Sequence, residues 1–136
     1  MQDLIARLEA ATEGSRELDA EIALANGWEY VDPLTATDPL GPPWKHAALG
    51  YRLLEPPQFS TSLDAALTLV PEGWTWNVSD RAPKPHAGRA YINNRELQIA
   101  GIGGLARNPK YRGEEATAFS PALALCIACL HARSVT

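Results

Sequence analysis

The chain has 136 residues, 46% of them hydrophobic and 21% charged, with a net charge of −4. That composition excludes disorder, and the length leaves room for one hydrophobic core rather than two. The negative balance argues against a general duplex-DNA binder held by phosphate neutralisation, and no run approaches the ~18–20 apolar residues of a membrane-spanning helix.

At the N-terminus Asp3 stands where a secretory signal would carry base, and Arg7 and Glu9 interrupt any apolar run. The expectation is a cytoplasmic protein, with no membrane contact, whose Cys126 and Cys129 stay reduced. A first helix is expected from about Asp3 to Thr12, with Leu4, Ile5, Leu8 and Ala11 on one stripe. Gly14 ends it, Ser15 caps a second helix over Arg16 to Ala25, and Asn26-Gly27 stops that one. A short strand follows from Trp28 to Val31. Then Pro33, Pro39, Pro42, Pro43, Pro56 and Pro57 punctuate an irregular stretch with one strand expected near Leu49 to Leu54.

Ser62 is placed to cap a third helix carrying Leu63, Leu67 and Val70, which Pro71 ends because its ring cannot continue the ladder. Trp74, Trp76 and Val78 alternate with polar residues, as in a half-buried strand. The alternation returns at Arg89 to Ile92, and Asn93-Asn94 is expected to turn the chain into a neighbouring strand over Leu97 to Ile102. The segment from Leu105 to Thr117 reads as loop. Ser120 caps and Pro121 opens the last helix, in which every residue from Ala122 to Leu130 is apolar. A helix apolar all round must be covered on more than one side, by other elements or by a second subunit; a homo-oligomer is expected on that ground. The fold class is α+β, a single domain with a small antiparallel sheet covered by helices.

Charge placement says more than the total. Residues 1–68 carry 4 basic and 11 acidic side chains (−7), residues 69–136 carry 8 and 5 (+3), and between Arg81 and Arg112 seven Lys/Arg meet one acid, Glu96. A local basic stretch on an acidic protein suits a small anion better than a long polyanion, although solvated loops explain such a run equally well. Arg89, Tyr91 and Asn93 share one strand face and could hold a nucleotide, with the ring on a base, the guanidinium on a phosphate and the amide on a base edge. Trp76 could add stacking, with burial in the core as the competing reading. Behind Gly103-Gly104, whose backbone N–H groups could form an anion nest, come Arg107, Lys110, Tyr111 and Arg112.

Other patterns carry less chemistry. Gly101 to Ala106 fits the relaxed dinucleotide fingerprint in letters only, because Pro109 follows closely and no βαβ unit surrounds it. Cys126 and Cys129 fall mid-helix among Ala, Leu and Ile, and read as core residues rather than a redox pair or half a zinc site. No metal or cofactor is expected, and no nucleophile–base pair stands at a recognisable spacing.

Three segments, DLIARLEAATEGSRELD (Asp3 to Asp19), SLDAALTLVPEGWTW (Ser62 to Trp76) and SPALALCIACL (Ser120 to Leu130), together resemble the phage ABA-sandwich domain family. The resemblance implies layered helices and sheet and a phage origin, hence the host bacterial cytoplasm; it brings no catalytic residues. Phages use small proteins of this size as sponges for nucleotide immune signals. The resulting expectation is non-catalytic sequestration of a small anionic nucleotide, such as a cyclic oligonucleotide or an ADP-ribose derivative. A module that blocks a host protein through its acidic helical face and a hydrolase of the same nucleotides stand as alternatives.

Overall fold

The computed structural model describes residues 2–32, 42–46, 48, 52–82, 86–94, 99–101, 104–106 and 113–134. The described elements are helices α1 (Gln2–Ala10), α2 (Arg16–Ala25), α3 (Leu63–Leu67) and α4 (Pro121–Ser134), with strands β1 (Trp28–Tyr30), β2 (Trp44–His46), β3 (Arg52–Leu53), β4 (Thr75–Ser79), β5 (Gly88–Asn93), β6 (Ile99–Gly101), β7 (Gly104–Ala106) and β8 (Gly113–Ala118). The class is α+β, and each sheet is antiparallel: β1-β2-β3, β4-β5-β8 and the hairpin β6-β7.

The apolar circumference of α4 organises these pieces. The helix lies on β5 and β8, while α1 and α3 pack against its remaining surface. All nine residues from Ala122 to Leu130 are buried within a single chain. The burial of α4 therefore needs no second copy, and the reason given above for an oligomer falls away. Close approach to the sheet is possible because the facing strand residues are small: Gly88 pairs with Ala118 and Ala90 with Ala116. A Cβ at Gly88 would collide with the Ser120 carbonyl carbon, so glycine is required where β5 passes the start of α4. Ser120 caps that start, its Oγ accepting from the Leu123 N–H at 3.3 Å.

The third strand of the central sheet departs from the sequence expectation. The segment expected to pair with β5 instead folds on itself as β6-β7, with Gly101 opposite Gly104. The strand beside β5 is β8, with Tyr91 opposite Glu115 and Ile92 opposite Glu114. Its sequence, Gly-Glu-Glu-Ala-Thr-Ala, lacks the β-branched and aromatic residues that mark strands, so tertiary packing against α4 overrides weak propensity. β2 was likewise hidden among prolines. Its pairing of Trp28 with His46 and of Tyr30 with Trp44 places rings side by side, 5.4 Å apart and edge-on in both cases.

The helix boundaries follow capping chemistry. Ser15 accepts from the Leu18 N–H at 3.1 Å, and Gly27 takes φ +92°, a conformation costly for other residues, to turn α2 into β1. Ser62 caps α3 through the Ala65 N–H, but the helix closes at Leu67, short of the expected Pro71.

A buried carboxylate fixes α2 against the segment that precedes α3. Asp19 is fully buried, and its Oδ1 accepts from the Ser60 N–H at 2.8 Å and the Ser60 hydroxyl at 2.6 Å. Its Oδ2 accepts from Arg16 Nη1 at 2.8 Å, and Arg16 Nη2 reaches the Pro56 carbonyl at 2.8 Å. Ser60 Oγ also accepts from the Ser15 N–H at 3.0 Å, and a Cβ at Gly14 would collide with the Ser60 backbone. Asp19→Ala leaves the buried Ser60 amide without its acceptor and the Ser60 hydroxyl with the Ser15 carbonyl alone, at 3.0 Å. It should cost on the order of 3 kcal/mol in urea denaturation, against roughly 1 kcal/mol for Ser60→Ala, which removes only the hydroxyl.

Candidate functional site

The expected site on the central sheet is partly assembled and partly dispersed. Arg89 and Tyr91 do share a face with Asn93, as strand alternation requires. Arg89 Nε, however, is paired with Glu115 Oε1 at 3.3 Å, from the strand alongside. Asn93 is only 4% exposed, and its Oδ1 accepts from the Thr75 hydroxyl at 3.0 Å. The Tyr91 ring lies over Gly113, where any side chain would strike its hydroxyl.

Trp76 is 52% exposed but stands opposite Ile92, on the α4 side of the sheet, so it cannot join Tyr91 around one ligand. The count of seven cations against one acid misled because β8 places Glu114 and Glu115 directly beside β5. Arg107, Lys110, Tyr111, Arg112 and Gly103 lie outside the described residues. Near this face, His86 Nδ1 is 2.9 Å from Thr117 Oγ1, at a small polar cavity that Glu9, Glu115 and His131 also line.

A larger concavity lies elsewhere. A cleft of about 660 Å³ opens between the β1-β2 ribbon, the turns on either side of α3, and the end of α4. Its apolar wall includes Trp28, Phe59, Leu69 and Val70, and Arg133 and Glu72 bring charge to it. Its size lies within the ~300–1,000 Å³ usual for small-ligand sites, and apolar walls with few polar groups are the usual lining.

His46 belongs to the wall with both ring nitrogens engaged. Its Nε2 lies 3.0 Å from the Asn26 carbonyl, and its Nδ1 accepts from the Ala48 N–H at 3.1 Å, which selects the Nε2–H tautomer. The edge-on Trp28 ring and the close approach of Gly27 hold the imidazole from the other sides. Asn26 donates through Nδ2 to the Ile22 carbonyl at 2.7 Å, while its buried Oδ1 has no hydrogen-bond partner among the described residues. Besides His46, the ionisable side chains lining the cleft among the described residues are Arg133 and Glu72.

Sequence reasoning did not bring these residues together because they come from five separate stretches, around Trp28, His46, Phe59, Leu69 and Arg133, none with a local motif. The one available signal was Arg133, a cation in the last turn of a helix that is apolar from Ala122 to Leu130. Its position there complements the negative end of the helix dipole as well.

The cysteines are packed into the core. Cys126 donates to the Phe59 carbonyl at 3.2 Å, tying α4 to the turn that Ser60 anchors. Among the described residues no group of three or more His, Cys, Asp or Glu side chains is arranged to hold a metal ion, and no described helix is long and apolar enough to cross a membrane. No family model, curated protein or solved structure matches this chain.

Burial pushes the Cys126 thiol well above its ordinary value, with the neighbouring Cys129 adding to the effect. Burial raises Cys129 from 9.0 to about 12, against a smaller opposing pull from Arg133. Between the unfolded and folded values, the unfolded chain has lost thiol protons that the folded chain keeps. Stability should therefore be complete below about pH 9 and fall as pH rises toward 12. Urea titrations in reductant at rising pH check this, and replacing both cysteines with Ala should remove that part of the slope.

Proposed function

We propose that this protein binds a small anionic nucleotide without turning it over, and that the cleft bounded by Trp28, His46, Leu69 and Arg133 receives it. The observation that carries the reading is the cleft itself: an aromatic and aliphatic wall of ligand-sized volume with a guanidinium at its edge. A base or other planar group fits the apolar wall, and Arg133 brings a guanidinium, the chemistry that recognises a phosphate, to its edge.

The rigidity of the lining supports binding more than chemistry. His46 has both ring nitrogens engaged in holding the Asn26 and Ala48 backbone, so it is committed to shape. No described side chain of the cleft forms a nucleophile–base pair in the sense of a positioned hydroxyl or thiol beside an imidazole. Sequestration of an immune signal during phage infection is the specific form of this proposal. It joins the cleft to the resemblance of the opening, central and closing segments to the phage family. Such a role asks for tight binding and slow release alone.

The test is a thermal-shift panel of mononucleotides, cyclic oligonucleotides and ADP-ribose derivatives, because a ligand that binds only the native state raises Tm. Calorimetry on the best ligand then separates the two surfaces. Arg133→Ala should weaken binding about ten- to a hundredfold, the loss expected for one charge-assisted contact, while Arg89→Ala leaves it unchanged. The reverse pattern would move the site to the β5 face, and no shift with any nucleotide would reject the nucleotide reading.

A further inference from the structure

The cleft has a neighbour. A second concavity of about 340 Å³ adjoins it, lined by Trp74 and the buried Ala132. Pro71, Glu72 and Arg133 line both, so the two concavities meet at these residues. Both are of ligand size, since small-molecule sites start at ~300 Å³.

Local chemistry explains the ridge between them. Pro71 ends the helical turns that follow α3, and the Trp74 N–H donates to the Pro71 carbonyl at 3.0 Å. Gly73 takes φ +84° at the third position of that turn, the type II conformation that a side chain would strain. The chain thus reverses between Val70, on the wall of the cleft, and Trp74, in the second concavity. The last turn of α4 brings Arg133 to the same junction.

We infer that the ligand is a dinucleotide, two nucleosides joined by a phosphodiester, with one base on the apolar wall of the cleft, the other at Trp74, and the phosphate at Arg133 between them. The inference rests on the reading of the cleft as a nucleotide site and adds a second subsite to it.

The division of the surface carries the argument. Two largely apolar concavities with a guanidinium where they meet match a ligand with a planar group at each end and an anion in the middle. A mononucleotide would leave the Trp74 side empty. Glu72 limits the charge of the linkage, because its carboxylate stands at the same junction as Arg133 and offsets it. A triphosphate would bring several negative charges to that carboxylate, whereas a phosphodiester brings one. Glu72 can also accept from a ribose hydroxyl or a base N–H, which the two nucleosides supply.

Calorimetry on the full chain, with linear dinucleoside monophosphates of adenosine and guanosine against the matching mononucleotides, tests it. The dimer should bind about ten- to a hundredfold tighter, the gain expected from one further stacked base. Trp74→Leu keeps an apolar side chain but removes the ring, and should bring that ratio down to near one. Because Trp74 also packs against the core, Glu72→Gln at an exposed position supplies a second reading. It should raise the affinity for ATP several-fold, since it removes a carboxylate beside the triphosphate.

Dimers that bind no tighter than mononucleotides would overturn the inference and leave the nucleotide reading standing. A ratio that survives in folded Trp74→Leu would overturn it as well, and so would an ATP affinity indifferent to Glu72→Gln. Binding of neither dimer nor mononucleotide would also overturn it, and the thermal panel then decides the nucleotide reading.

Discussion

A fourteen-residue helix with no polar face over its first nine interior positions sets the terms for this fold. Pro121 to Ser134 cannot lie on a surface, since leaving even a few of its Leu and Ile side chains in water would forfeit about 1.5–3 kcal/mol each. The chain answers by making α4 the middle layer, with the β4-β5-β8 sheet on part of it and α1 and α3 on the rest. Small residues at Gly88, Ala90, Ala116 and Ala118 are a condition of that arrangement, because helix and sheet otherwise could not meet closely.

The cleft is a by-product of how the remaining elements attach to this layer. α2 is held by Asp19 to Ser60, and the preceding Phe59 is buried with its carbonyl accepting from Cys126 of α4. That chain of contacts fixes one wall. Gly27 then turns the chain into β1, and the β1-β2 ribbon supplies Trp28 and His46 as a second wall. α4 ends beside the opening and delivers Arg133. A pre-formed apolar concavity bounded by hydrogen-bonded anchors has little order left to lose on filling.

Much of the helical layout was legible in the residues. Ser15, Ser62, Ser120 and Gly27 announce helix boundaries through local chemistry, which tertiary structure had no reason to override. The apolar run of α4 announced its own burial, yet left open what covers it. β8 was illegible because its Ala and Glu residues have the composition of a helix or a loop, and only the proximity of α4 makes it a strand. The site was the least legible part. Arg89 looked available in a linear count of charges, but its partner Glu115 lies 26 positions away (115 − 89) and meets it only through sheet register. Trp28, His46 and Arg133 converge by topology, and no spacing rule joins them.

The central position of α4 is open to a direct measurement. Native-state hydrogen exchange ranks amides by the free energy needed to expose them, and the last to open are those released only by global unfolding. If α4 is the middle layer, the amides from Ala124 to Leu130 should exchange last, together with those of β5, while the β1-β2-β3 ribbon opens earlier. Exchange of the α4 amides ahead of that ribbon would contradict the account.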